Sequence, residues 1–202
     1  MTTPIRILAL SGSSRTGSHN LRLVRAAAAH AQALGAEIVD LDLRALNLPL
    51  VDEDLEREQG VPAGAFELRR VLAGVDGVLL ASPEYNALPP PLLINALDWL
   101  SRVPAGDSLP SGMGSVGGKP VGLMGASPGG YGGIRMMPVL RFFLATNFAM
   151  HVVPETLSLG FAADAYESDT RLKAEPMQQM LERVAASVVR TARAFNTAAE
   201  TV

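Results

Sequence analysis

The chain has 202 residues, 48% of them hydrophobic and 18% charged, with a formal net charge of −3; this suits a globular domain with a sizeable core and disfavours nucleic acid as the main partner. It has no cysteine, which excludes disulfides, thiolate nucleophiles and cysteine metal sites, and its three histidines, His19, His30 and His151, lie too far apart in sequence to suggest a metal site. Met1 to Ile5 shows no signal-peptide pattern, and no apolar run approaches the roughly 20 residues that span a bilayer. The expectation is a cytoplasmic protein without a membrane partner.

Ile5 to Leu10 reads as a first buried strand. It runs into Ser11-Gly12-Ser13-Ser14-Arg15-Thr16-Gly17-Ser18-His19-Asn20, and Leu21 to Leu34 follows as a helix with one apolar face, closed by Gly35. Glu37 to Asp42 is a second strand. Arg44 to Gly60 is polar and acidic and reads as a loop or loose helix on the surface, and Gly64 to Ala73 as a short helix. Gly77 to Ala81 is a third strand, leaving through Ser82-Pro83-Glu84-Tyr85-Asn86-Ala87-Leu88-Pro89-Pro90 into a helix from Pro91 to Leu100. Ala105 to Gly118 is a glycine-rich excursion. Lys119 to Gly125 is the fourth strand, followed by Ala126-Ser127-Pro128-Gly129-Gly130-Tyr131-Gly132-Gly133 and a helix from Ile134 to Asn147. His151 to Val153 reads as a short, buried fifth strand, Pro154 to Asp169 as an irregular connection, and Leu172 to Phe195 as the last helix. Strands alternating with helices predict an α/β three-layer sandwich on a parallel sheet. Five strands favour the flavodoxin-like order 2-1-3-4-5 over the six-stranded dinucleotide-binding order. No repeat or linker interrupts 1–202, which reads as one domain.

Three loops leave strand ends and therefore meet at one edge of the sheet, where open α/β sheets bind ligands. The first offers Ser13, Ser18 and Asn20 as donors, Arg15 as a forked cation, and the free amides of a helix N-terminus, a set suited to a phosphate monoester. It is neither a Walker loop nor a Gly-x-Gly-x-x-Gly fingerprint. The second carries an acid, a phenol and a carboxamide in a row, stiffened by prolines. The third is nearly bare backbone around Tyr131. A phosphate site beside two flatter loops, with Tyr85 and Tyr131 able to flank a ring, suits a ligand with a phosphate tail and a planar head such as flavin mononucleotide. Met136, Met137 and Trp99 read as packing residues, Arg135 and Arg141 as solvated or meeting a dinucleotide phosphate, and His151 as structural.

These three loops, together with Asn95-Ala96-Leu97-Asp98-Trp99-Leu100-Ser101-Arg102 and Lys119-Pro120-Val121, resemble the NADPH-dependent FMN reductase family, flavodoxin-like proteins that include quinone, azo-dye and chromate reductases. The resemblance implies an NAD(P)H-dependent oxidoreductase that passes hydride from nicotinamide to FMN and onward to free flavin, a quinone or a similar small acceptor. It implies that Ser13, Arg15, Ser18 and Asn20 hold the FMN phosphate. Pro83, Glu84, Tyr85 and Asn86 would line the ribityl chain and ring, and Ser127, Gly129, Gly130 and Tyr131 would cover the ring's other edge. A homodimer or homotetramer with the site near a subunit interface is implied as well. Because flavin carries such chemistry itself, no general acid or base is assigned. The alternative is a flavodoxin-like FMN electron carrier reduced by a protein partner. The weak net charge disfavours it, since docking carriers rely on a strongly charged face. Where family members often have glycine or another small or polar residue after Pro-Glu-Tyr-Asn, this chain has Ala87 and Leu88.

Overall fold

Strand β1, Arg6–Ser11, is buried on both faces, and the sheet grows outward from it. A computed structural model describes residues 4–199, so Met1 to Thr3 of the N-terminal segment, and residues 200–202, lie outside it. The elements after β1 are α1 (His19–Ala33), β2 (Glu37–Leu41), a 3₁₀ turn (Leu43–Leu46), α2 (Glu53–Gln59), α3 (Ala63–Ala73), β3 (Gly77–Ala81), α4 (Pro91–Arg102), β4 (Pro120–Ala126), α5 (Met136–Asn147), β5 (His151–Leu159) and α6 (Glu175–Ala199). The sheet order is β2-β1-β3-β4-β5, and every pairing is parallel. This is the flavodoxin-like α/β order expected from the alternation of elements.

The pleat sends alternate residues of each strand into two cores. Ile7, Ala9, Leu79 and Met124 pack with α1 and α6 on one face, while Leu8, Leu10, Leu80 and Leu123 pack with α3, α4 and α5 on the other. Met136 and Met137 are buried in the second core, as packing residues should be. Trp99 is fully buried, and its indole N–H donates to Pro49 O at 2.7 Å. Asn95 holds the same segment, donating to Pro49 O at 2.8 Å and accepting from Val51 N at 2.9 Å. Lys119 closes α3 by donating from Nζ to Leu72 O at 2.5 Å and Val75 O at 2.6 Å.

Of the two readings open for the acidic segment the structure shows the helix, and one strand differs from the sequence expectation. The acidic segment forms helix α2, capped by Asp52 accepting from Asp54 N and Leu55 N; it buries no residue, so it carries no apolar stripe to read. Strand β5 runs nine residues rather than ending at Val153. Pro154, which has no N–H to donate, falls where the register slips: Val121 faces Val152 and Leu123 faces Thr156, so the extra β5 residues bulge past Gly122. β5 is also an edge strand, and His151 is exposed there against Phe195, with ring centroids 5.4 Å apart. Arg141 lies along this edge and donates to the carbonyls of Val152, Val153 and Pro154, so it is engaged with its own backbone rather than solvated.

Candidate active site

All three predicted loops leave the C-terminal ends of their strands, and they converge on one cavity of about 150 Å³. Its walls are Ser13, Arg15, Ser18, His19 and Asn20 from the first loop, Pro83, Glu84 and Tyr85 from the second, and Ala126, Ser127 and Pro128 from the third. Eight of the twelve sequence-predicted residues are among these. Asn86, Gly129, Gly130 and Tyr131 are outside the lining.

The first loop is built around Ser18, the N-cap of α1. Its hydroxyl oxygen accepts from Asn20 N at 3.1 Å and Leu21 N at 3.2 Å, which leaves its O–H proton available to a ligand. Ser13 accepts from Arg15 N at 3.3 Å, and its own hydroxyl proton is likewise available. The Arg15 guanidinium is exposed, with one long bond to Gly17 O at 3.4 Å. Asn20 differs from its expected role. Its carboxamide is buried and bonded at both ends, donating to Ala126 O at 3.0 Å and accepting from Ala126 N at 2.9 Å. It brackets the first loop to the end of β4. The His19 imidazole is held below its ordinary range by burial and by the nearby charges of Arg15 and Arg22.

The second loop is a tight reversal. Tyr85 and Leu88 exchange both backbone hydrogen bonds, at 2.9 and 3.0 Å, across Asn86 and Ala87. These two central residues have φ of 54° and 67°, the left-handed pair of a type I′ turn. Asparagine tolerates this conformation and alanine does not, so Ala87 is strained where glycine would be at ease. The reversal presents the Tyr85 ring, 45% exposed, at the cavity mouth. Glu84 points the other way. Its carboxylate, 5% exposed, accepts from Arg135 N at 3.0 Å, from Met136 N at 3.1 Å and from the Arg135 guanidinium, with Nε at 2.6 Å. It thus caps α5, 52 residues later in the chain for Met136. Neither Glu84 nor Arg135 is identifiable as a pair from sequence spacing.

The third loop closes on itself through Ser127, which donates to Gly129 O and accepts from Gly132 N, both at 2.9 Å. Its outer side is sewn to the segment after β5 by Phe161 N to Gly129 O and Ala162 N to Ser127 O, each 3.0 Å. Gly132 is required here: its φ is +59°, and a Cβ would lie 2.6 Å from Leu159 N. Tyr131 stays 64% exposed, with the Arg135 guanidinium 4.7 Å from its ring centroid. Glu84, Arg135 and Tyr131 therefore form a chain linking the second loop to the third.

The donor chemistry fits a flavin phosphate. Two serine hydroxyls, the Arg15 cation and the positive end of α1 face the cavity, and the single carboxylate among its walls is neutralised by Arg135. Among the described residues no group of three His, Asp or Glu is placed to hold a metal ion, and no helix is long and apolar enough to cross a membrane.

A family profile described as NADPH-dependent FMN reductase matches residues 5–164. The quinone reductase of Escherichia coli K12 is 34% identical over 154 residues, covering 74% of each chain. The NADPH:quinone oxidoreductase of Arabidopsis thaliana is 33% identical over 190 residues, covering 91% of this chain and 90% of the relative. Among solved structures, the flavoenzyme NAD(P)H:(acceptor) oxidoreductase of Paracoccus denitrificans superposes with a TM-score of 0.75 at 26% identity, covering 95% of this chain and 98% of that one. With the sheet order, the three converging loops and this profile in agreement, the chain belongs to the NADPH-dependent FMN reductase family.

Proposed function

We infer that this chain, as one domain, is an FMN-containing reductase that takes electrons from NADPH or NADH and delivers them to a quinone or a similar small acceptor. The observation that carries this reading is the convergence of the serine–arginine loop, the Tyr85 reversal and the Ser127 loop on a single cavity. The names of the Escherichia coli and Arabidopsis relatives favour a quinone as acceptor.

Bound FMN would supply the two-electron redox chemistry, accepting hydride from the nicotinamide and returning electrons to the acceptor. The protein's part is binding and orientation. Ser13 and Ser18 donate hydroxyl protons to the phosphate, Arg15 adds a fixed positive charge, and the α1 terminus favours the anion. Asn20 acts through Ala126, keeping the first and third loops at a fixed separation. Pro83 and Tyr85 form one side of the ring site, with Asn86 shaping the reversal that aims Tyr85. Ser127, Gly129, Gly130 and Tyr131 form the other side. Glu84 is a positioning residue rather than a proton donor, because its carboxylate oxygens are already engaged by α5 and Arg135.

Large exposed apolar side chains ring this end of the molecule: Tyr85, Leu88, Tyr131, Ile134 and Phe161. Such a patch is covered in the working protein, and a second copy of the chain, in a homodimer or homotetramer, is the reading that fits best. Cytoplasmic residence is part of the same proposal.

The test is an anaerobic absorbance scan of FMN-loaded protein before and after adding NADPH. Bleaching of the oxidised-flavin band much faster than in a protein-free control supports the reductase. Flavin that binds but stays oxidised would sink it and favour the electron carrier.

A further inference from the structure

His19 lines the flavin cavity with Ser13, Arg15 and Ser18, yet, unlike Asn20 and Glu84, its side chain holds no loop in place. It is the half-buried first residue of α1, next to the capping Ser18. Among the described residues neither its backbone N–H nor its imidazole has a hydrogen-bond partner; only its carbonyl is engaged, accepting from the Tyr166 phenol at 3.4 Å. The anions around it are already taken. Glu84 is bound by Arg135 and the amides of α5, and Asp169 by Arg22. The second loop adds only the Tyr85 phenol, and burial pushes the Tyr166 phenol up to about 12. Arg25, Asp40, Asp42 and Arg44 line a neighbouring cavity, where Asp42 and Arg44 pair with each other. What acts on the imidazole is burial, then the positive charges of Arg15 and Arg22, and all three favour its neutral form. The other two histidines lie at the far end of the sheet, His30 in the last turn of α1 and His151 at the start of β5.

A phosphate dianion held by Ser13, Arg15 and Ser18 reverses that balance. Its negative charge offsets Arg15 and favours the charged imidazole, whose N–H then becomes a charge-assisted donor. We propose that His19 is a fourth phosphate-binding residue, which takes a proton from water as the flavin phosphate enters, so that the protein holds FMN tightly near neutral pH and releases it as the solution turns alkaline. The proposal rests on the FMN reading of this cavity. Bound phosphate raises the imidazole's titration, so the added affinity is complete below the range where the free group titrates and is lost as pH rises through that of the complex. The phosphate's own titration does not mimic this, because a phosphate monoester loses its second proton at about pH 6 and is already dianionic above about pH 7.

The test is calorimetric titration of flavin-free full-length protein, parent and His19→Gln, with FMN and with riboflavin. At about pH 7.5, in buffers of different ionisation enthalpy, FMN binding to the parent should show net proton uptake. Riboflavin, which lacks the phosphate, should show none, and neither should His19→Gln with FMN. One bond to a charged group is worth about tenfold in affinity. FMN affinity of the parent should therefore fall about tenfold between about pH 7 and about pH 9, whereas that of His19→Gln stays level and meets the parent's at the alkaline end. That meeting also reports that the variant is folded. Proton NMR of the three imidazoles should show one signal, missing in His19→Gln, whose titration midpoint rises when FMN is added. FMN binding without proton uptake, the same uptake with riboflavin or in His19→Gln, or a variant weakened equally at both pH values would overturn the proposal and leave the FMN reading standing. No FMN binding at any pH would overturn the FMN reading and this proposal together.

Discussion

Replacing Glu84 removes the group that joins two of the three loops around the candidate site. In Glu84→Ala the amides of Arg135, the N-cap of α5, and of Met136, its first residue, lose their acceptor. Lost caps of this kind cost about 1 kcal/mol each. The ion pair with Arg135 adds less, about 0.5–1 kcal/mol, because the arginine is 53% exposed and screened by solvent. The sum is about 2–3 kcal/mol. For a chain of this length each kcal/mol moves Tm by roughly 2–4 °C, so a fall of about 5–10 °C is expected. Arg135→Ala removes only the guanidinium contacts and should cost under about 1 kcal/mol. The assay is urea unfolding followed by far-UV circular dichroism and by Trp99 fluorescence, with the double variant completing a cycle. FMN affinity should fall in Glu84→Ala as the third loop loosens, whereas the pH dependence of flavin reduction should not change. If Glu84→Ala and Arg135→Ala destabilise equally, the amide caps contribute nothing and the reasoning fails. A lost pH limb in Glu84→Ala would instead make Glu84 a proton donor.

Ala87→Gly should raise stability by about 0.5–1 kcal/mol, since relief of the left-handed backbone outweighs the added freedom of the unfolded chain; a lower urea midpoint would refute it. Gly132→Ala should cost more than about 2 kcal/mol or abolish flavin binding, because its Cβ meets the Leu159 backbone; calorimetry and unfolding both report it. Tyr166 is buried, with Arg22 4.1 Å from its ring centroid, and burial raises its phenol to about 12. The folded state therefore holds the proton more tightly than the unfolded one. This contribution, about 2–3 kcal/mol, is complete below pH 10 and is lost as pH rises toward 12. Tyr166→Phe should remove that alkaline loss, and an unchanged alkaline slope would count against the assignment. Asn95→Ala should speed hydrogen exchange at Val51, whose amide then has no acceptor, and protection equal to the parent's would show that the segment is held by packing alone.

The layers were legible because β1, β3 and β4 are continuous apolar runs buried on both faces, a signal that needs no partner to be read. β5 was half hidden because Pro154 interrupts the run and an edge position lets exposed residues alternate with buried ones. α2 was ambiguous because a helix that buries nothing has no periodicity. The site's loops stood out through residue type: serines, arginine and glycines directly after strands. What the side chains do there did not. Asn20 looks like a phosphate donor until its carboxamide is found on Ala126, 106 residues away. Glu84 looks like a ring contact until Arg135 engages it. Contacts between distant segments leave no spacing to detect.

Arg141 has a consequence for how copies of the chain can meet. A sheet ends where its last strand still has carbonyls to offer, and those offered by β5 at Val152, Val153 and Pro154 are occupied by one guanidinium. Proline at the same place contributes no donor, and the bulge turns the strand away from a straight partner. A neighbour could not extend the sheet along that stretch without first displacing the arginine. Association is thereby steered from backbone pairing, which ignores side-chain identity and tends toward open-ended growth, to side-chain surfaces, where sequence chooses the partner and the assembly can close.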